Sequence, residues 1–393
     1  MNALEWRAVA ALGTVYALRM IGMFMVLPVF ALYALELRGG ATPMQVGLAI
    51  GIYGLTQALL QIPLGTASDR YGRKPIIYVG LAVFALGSLV AGLAETVEGV
   101  TLGRLLQGMG AISSAVAALL ADVTRDQVRT LAMTIVGAGM GLAFILALVL
   151  GPVVALWVGV DGIFLLTAGL ALLAIPMVAF GVPTPQRQVQ RAGGFREALS
   201  NPALLRLNAG IFLLHATMIG LFVAAPVAIF DTLGLDSTQQ WRLYLPVLLL
   251  SVLPVFPLIR WAERGRHSAR VFRGAIAMLI AAMLTAALGH ASVVWLPLAM
   301  LLFFIPFNYL EGALPSMISR RAPPDRRGAA LGVYATSQFL GAFAGGTLTG
   351  LAQSYFGLTG AFAVCAVLPL IWLFIPAGER QDKTAAPSLN PQS

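Results

Sequence analysis

Charge is scarce in this sequence. Only 10% of the 393 residues are Asp, Glu, Lys or Arg, against 59% hydrophobic, and mean hydropathy is +0.87. A soluble domain carries nearer a quarter charged residues and half apolar ones, so a surplus this large has to face lipid. Cysteine is almost missing: Cys365 stands alone, which excludes an intramolecular disulfide and a cysteine metal cluster. Histidine is limited to three separated residues without HExxH spacing, and no GxxxxGK[ST] loop is present. ATP is therefore not the energy source. No Ser/His/Asp set presents itself, so no catalytic residue, metal site or cofactor is expected. The start of the chain is not a cleavable signal, because the apolar run after Arg7 is too long and Arg19 interrupts it.

What is abundant is uninterrupted apolar sequence. A bilayer core takes roughly 20 apolar residues per helix. Runs of that kind occur at about 8–35, 44–67, 76–94, 101–121, 130–156, 162–181, 205–230, 241–260, 272–289, 293–317, 329–353 and 358–376. A transmembrane β-barrel needs apolar–polar alternation. "FALGSLVAGLA" and "LLLSVLPVFPLI" are apolar on all sides, which selects helices. The fold class read from these runs is an all-α membrane protein with twelve transmembrane helices, numbered here as spans 1 to 12.

The cations fix the orientation. With both termini cytoplasmic, all 25 Lys and Arg residues except Arg19, Arg38, Arg104 and Arg242 fall in the tails and inner connections. This is the positive-inside pattern. The net charge of +9 is therefore a topology signal and not a nucleic-acid patch, since no basic stripe is interleaved with stacking aromatics.

The longest inner connection, 182–204, is rich in Pro, Gln and Arg and divides the chain. Residues 1–181 form one six-helix bundle, 205–376 the other, and 377–393 a cytoplasmic tail. Within the connection, "GFREALSNPALLRL" has the pattern of a short surface helix feeding span 7. The halves also repeat. "PLGTASDRYGRK" follows span 2 and "PLIRWAERGRH" follows span 8, and with one gap Asp69, Arg70, Gly72 and Arg73 match Glu263, Arg264, Gly265 and Arg266. Two repeated halves around a midplane site are how many secondary transporters are built.

The first of these stretches concentrates Asp69, Arg70, Arg73 and Lys74 in an otherwise apolar chain. The cations hold the loop inside. Gly65 allows close helix approach, Gly72 a tight turn, and Pro75 a helix start. Asp69 lies at a helix C-terminus, where the dipole disfavours an anion, so it needs a cation. Arg73 is four residues on, and Asp122 at the end of span 4 offers Arg73 a second acid.

These residues resemble a known family. G65-x-x-x-D69-R70-x-G72-R73-K74 resembles the signature loop of the major facilitator superfamily, and R104-L-L-Q107-G108-M-G110-A111 its span 4 motif. Gly151-Pro152 resembles the motif of its antiporters, with Ala138, Ala147, Ala155 and Leu156 where that pattern has Gly. "LRMIGMFMVLPVF", "IGIYGLTQALLQIP" and "FNYLEGALPSMISR" are similar to the YajR-type branch, grouped with drug:proton antiporters. The soluble C-terminal domain of some members is expected to be absent. The resemblance implies that Asp69, Arg73 and Asp122 form a charge relay. Its loop packs against the first turn of span 11, near Gly328, when the protein is open to the outside. The alternative is a loop that only sets topology.

Ionisable residues inside a span default to function, because lipid makes them expensive. They are Arg19 in span 1, Arg104 in span 4, His215 in span 7 and Glu311 in span 10, the spans that the resemblance assigns to the central cavity. Glu311 and His215 lie at similar depth, on the order of 10 Å in at 1.5 Å per residue. They are the candidate proton-coupling pair. The alternatives are a helix–helix hydrogen bond for His215 and a structural ion pair of Glu311 with Arg19 or Arg320. Tyr53, Gln57 and Gln61 make a polar stripe that faces the cavity or joins span 2 to span 11. Gln107, Asn308, Tyr309 and Gln338 complete the candidate cavity residues. Gly341, Gly345, Gly346 and Gly350 on span 11 suit close packing. Met20, Met23, Met25, Phe303, Phe304 and Phe307 read mainly as lipid-facing, and otherwise as an adaptable apolar pocket.

The resulting expectation is a proton-coupled exporter of small amphipathic or hydrophobic compounds, monomeric, in the bacterial inner membrane. A sugar or organic-acid facilitator or symporter is one alternative, and a non-transporting membrane sensor another. The partners are a small-molecule substrate, protons and the bilayer.

Overall fold

The computed structural model describes residues 1–184, 199–263, 267–323 and 327–375. Most of the 182–204 connection lies outside the described residues, including 194–198 of its expected surface helix; Leu199 and Ser200 are helical, and from Pro202 on that stretch is already the start of the next long helix. Arg264, Gly265 and Arg266 of the repeat and the 377–393 tail also lie outside the described residues.

Among the described residues every regular element is an α-helix. In chain order they are α1 (Ala3–Phe24), α2 (Leu27–Glu36), α3 (Pro43–Tyr71), α4 (Arg73–Gly92), α5 (Val97–Met109), α6 (Ser113–Asp122) and α7 (Asp126–Gly181). They continue as α8 (Pro202–Leu233), α9 (Trp241–Val252), α10 (Val255–Glu263), α11 (Ser268–Gly289), α12 (Trp295–Arg321) and α13 (Arg327–Phe374). Among the described residues ten helical segments are long and apolar enough to cross a membrane.

Three apolar runs that read as continuous are broken. Span 1 bends at Met25–Val26, ahead of Pro28, whose ring clashes with the carbonyl four residues back. Span 4 breaks at Gly110–Ile112, and span 8 at Leu253–Pro254. The charged stretch after span 2 is shorter as a loop than the sequence suggests. Helix α3 runs through Asp69 and Arg70 to Tyr71, and α4 starts at Arg73. Gly72 alone joins them, with φ of 101°, a conformation open to glycine.

Two helices are far too long for one crossing. Straight, the 56 residues of α7 would extend about 84 Å at 1.5 Å per residue. It breaks at Gly159, where φ is 72° and ψ 175°. Its neighbours reveal a reversal there. Along α1, Gly13 meets Val136 and Met25 meets Gly151, whereas Gly22 meets Thr167 and Ala11 meets Gly181. The first arm of α7 thus runs with α1 and the second against it. Helix α13 repeats the arrangement about Gly357 (φ 64°). Phe212 and Ala216 of α8 meet Gly341 and Gly345 on the outward arm, and Gly220 and Gly210 meet Cys365 and Trp372 on the return.

The two halves are sealed at the Pro43 end of α3. Methyl groups on Gly47, Gly51 or Gly54 would run into the backbone of Gly346, Phe343 or Phe339, and one on Gly350 into Pro43. The backbone N–H of Met44 also donates to Ser354 Oγ at 3.1 Å. The main apolar core crosses between the halves in this region, joining Met25–Leu37, Ala49 and Ala147 to α8 and α12. A second core lies within the N-terminal half, around Ile77, Leu81 and Phe84.

Substituting Gly47→Ala is expected to lower unfolding stability by about 1–3 kcal/mol, because the methyl overpacks a backbone contact. Distances between spin labels at positions 44 and 354 should widen. Thermal unfolding and label distances identical to the parent's would refute the seam.

Candidate functional site

Three polar clusters occupy the interior. The first is at the Gly72 end. The turn at Gly72 places Arg73 in the first turn of α4, 9% exposed, where its guanidinium pairs with Asp69 and reaches Asp122 Oδ2 from Nε at 3.0 Å. Arg73 also donates to Ser68 Oγ at 2.7 Å, and Ser68 donates to the Gly65 carbonyl at 2.7 Å. Gly65 lies so close to α6 that a methyl there would press on Ser114. Asp122 is 13% exposed and Asp69 35%, so Asp69 is the more accessible of the two acids paired with Arg73. Among the described residues Asp69 has no partner in the C-terminal half. Lys74 donates to the carbonyls of Ala179 at 3.3 Å and Val182 at 2.6 Å, capping the end of α7. Arg70 lies over the Tyr71 ring at 5.4 Å.

The second cluster is buried in the N-terminal half. Arg19, 3% exposed, donates to Tyr53 Oη (3.0 Å), Gln57 Oε1 (2.8 Å), the Gly110 carbonyl (3.1 Å) and Ser113 Oγ (3.3 Å). The break after α5 is what frees the Gly110 carbonyl. Gln57 continues to Gln61 Oε1 at 3.3 Å. The polar stripe of α3 thus faces α1 and α6, a third answer besides the two expected, and α3 joins α13 through its glycines and the Tyr53–Phe339 ring contact. Arg104 lies over the Tyr53 ring at 5.0 Å and donates to Gln107 Oε1 at 2.9 Å, while Gln107 donates to Ser88 at 2.7 Å. Among the described residues neither Arg19 nor Arg104 has a carboxylate within ion-pair distance, and Arg19 Nε has no hydrogen-bond partner.

The third cluster brings together α8, α12 and α13. His215 Nε2 is 3.1 Å from Glu311 Oε2 and 2.8 Å from Gln338 Nε2, and Gln338 Nε2 donates to Glu311 Oε1 at 3.4 Å. Glu311 is therefore paired with His215, not with Arg19 or Arg320. Its side chain is 38% exposed while His215 is 7% exposed, so the acid is open to solvent-accessible space and the base is packed behind it. Phe307 lies 6.2 Å from the His215 ring and 5.8 Å from Phe144 of the N-terminal half.

Other expected positions serve different ends. Asn308 donates to Ser251 of α9 at 3.0 Å, and Asn308 and Tyr309 line a cavity confined to the C-terminal half. Gly151 seats its backbone against Met25 at the bend of span 1, with Pro152 next to it. The Met and Phe residues of spans 1 and 10 are buried rather than lipid-facing: Met20, Met23, Met25, Phe303, Phe304 and Phe307 are all at most 6% exposed. They pack between helices because adjacent faces close over them. Sequence reasoning missed Ser68, Ser88 and Ser113. It also missed Glu5, which takes a two-pronged bond from Arg125 (2.8 and 3.1 Å) and ties α1 to the start of α7. The spacing of Ser68 from Arg73 was available as a signal; the partner role of Ser113 depends on where span 4 breaks.

The sequence family described as the Major Facilitator Superfamily matches residues 12–346 and 310–391. The inner membrane transport protein YajR of Escherichia coli K12 is 42% identical over 94% of this chain and 83% of that protein. The multidrug resistance protein MdtH of Aeromonas hydrophila is 26% identical, covering 86% of each. Among solved structures, a bacterial homologue of the human lysosomal transporter Spinster, inward-facing and occupied, aligns with a TM-score of 0.79 at 16% identity, over 95% of this chain and 96% of that one. At that identity the likeness concerns the fold alone.

Arg73→Gln leaves the largely covered Asp122 without its cation and is expected to destabilise the protein by about 1–3 kcal/mol. Adding Asp122→Asn should recover part of that loss. Strictly additive losses in thermal unfolding would exclude the coupling.

Proposed function

Because the chain belongs to the Major Facilitator Superfamily and is a membrane transporter rather than an enzyme, we propose that it is a proton-coupled exporter of small amphipathic or hydrophobic compounds, acting as a monomer in the bacterial inner membrane. Counting the arms of α7 and α13 separately, and the broken spans 1, 4 and 8 as one each, the chain crosses twelve times. Both termini and the 182–204 connection are cytoplasmic, as the distribution of cations requires. Residues 1–181 and 205–376 are the two moving bundles, with 377–393 as a cytoplasmic tail.

The observation that carries the coupling is the Glu311–His215–Gln338 cluster. Glu311 is the acid well inside a span, it has a base at hydrogen-bond distance, and it is open on one side. Proton binding removes the charge of Glu311 from its contact with His215 and Gln338, which biases the equilibrium between two packings. Facing the more acidic outside, Glu311 binds a proton; facing the cytoplasm it releases it, with His215 as its partner. The likeness to a multidrug resistance protein supports export as the direction.

The arrangement of the bundles fits alternating access. The glycine seam closes the outer end, and Asp69 has no described partner across the inner end, which together read as an inward-open state. In the outward-open state Asp69 would turn to the start of α13 near Gly328, with Arg73 and Asp122 holding the relay.

A second reading has one observation in its favour. Arg19 and Arg104 place two cations in the N-terminal half with neutral partners only, which would favour an anionic substrate such as an organic acid.

Glu311→Gln mimics the protonated acid. In proteoliposomes, exchange down the substrate's own gradient should survive, while uphill movement driven by a pH gradient should fall to background. A variant that still concentrates substrate would place the proton site elsewhere. Asp69→Asn should reduce flux severalfold with little change in stability, because the charge removed is partly exposed. Normal flux, with unchanged label distances between the inner ends, would leave the loop a topology role only.

A further inference from the structure

A cavity of about 940 Å³ lies among the ends of α8, α10, α11, α12 and α13. It is formed by the C-terminal half alone and contains neither Glu311 nor His215. Its size is at the upper end of typical small-molecule sites.

Its chemistry is divided. Arg206, Arg273, Arg320 and Arg321 line it. Among the described residues none of the four takes part in a hydrogen bond or ion pair, and no carboxylate lines the cavity. Four guanidiniums around one space with no counter-charge among the described residues repel one another, and an anion relieves that cost. The amino end of α11 enters the same space through Ser268 and Ala269, with no side-chain cap, and adds its partial positive charge. Asn308, Tyr309 and Ser316 add neutral polar groups, and the rest of the lining is mainly apolar. Phe272 and Trp372 meet edge to face at 5.7 Å. Ile259 (40% exposed) and Leu373 (42%) carry the wall onto the outer surfaces of α10 and α13, where Phe256, Ile371 and Phe374 are also exposed.

We propose that this cavity binds an anionic glycerophospholipid, its phosphate among the four arginines and its acyl chains along the exposed apolar wall. Basic pockets between membrane helices select such headgroups. A soluble anion would use the arginines but gain nothing from the wall running into the surrounding hydrocarbon. A lipid uses both. The inference does not depend on proton coupling or on the direction of transport.

The test uses the full chain, delipidated in neutral detergent, with phosphatidylglycerol or phosphatidylcholine added in mixed micelles. Phosphatidylglycerol should raise the thermal midpoint and appear as a one-to-one adduct in native mass spectrometry, and phosphatidylcholine should do neither. Arg273→Gln with Arg320→Gln should raise the half-saturating phosphatidylglycerol concentration by at least about tenfold. Arg260→Gln, a cation near the same membrane face but outside the cavity, should leave it unchanged. If the double variant does not fold, Arg206→Gln gives the same reading with a smaller shift. Equal stabilisation by both lipids overturns the proposal. So does equal stabilisation by glycerol 3-phosphate, which would mark a soluble-anion site. A chain ending at residue 376 that gains lipid binding absent from the full chain would make the tail the occupant, and also overturns it.

Discussion

Hydrocarbon offers no hydrogen bonds, so every carbonyl freed by a break or an end in a membrane helix needs a partner from within the protein. Much of this structure follows from that constraint. The break of span 4 frees the Gly110 carbonyl, and Arg19 takes it. The end of α7 leaves carbonyls at Ala179 and Val182 for Lys74, and Phe180 for Arg7. The bend of span 1 turns the backbone of Met25 toward Gly151, where a side chain would not fit. Lys74 and Arg7, which read as topology signals in the sequence, here complete the backbone at a helix end.

The distribution of interior charge gives the two halves different characters. The N-terminal half holds guanidiniums among neutral acceptors, and their positions are fixed by several bonds each. The C-terminal half holds an acid, a base and an amide joined by hydrogen bonds across three helices. Tyr53 and Phe339 touch across the boundary, as do Phe144 and Phe307, so each cluster is one aromatic layer from the opposite half. A change in charge at Glu311 therefore acts beside a surface that the halves share.

Much of this was legible in the sequence. The apolar windows gave the arms of α7 and α13 separately, because each arm ends where hydropathy lapses around a glycine. Asp69, Arg73 and Asp122 were found by the electrostatic problem that Asp69 poses at a helix end, and Glu311 and His215 by their depth. The breaks inside spans 1, 4 and 8 were not legible, since hydropathy is blind to a bend that stays apolar. The partners of Arg19 were lost with them, as the Gly110 carbonyl and Ser113 are available only if span 4 breaks there. The burial of Phe303, Phe304 and Phe307 was misjudged for another reason: lipid and protein interior are equally apolar, so composition does not separate a residue that faces one from a residue that faces the other.

The seam between α3 and α13 has a thermodynamic consequence. Gly47, Gly51, Gly346 and Gly350 bring no rotamers to the contact. Separating such surfaces releases almost no side-chain entropy, unlike parting a seam of leucines or methionines. What is lost is dispersion between closely apposed backbones, about a quarter to a half of which goes with a gap of roughly 0.5–1 Å. A joint of this kind behaves as a catch rather than a spring.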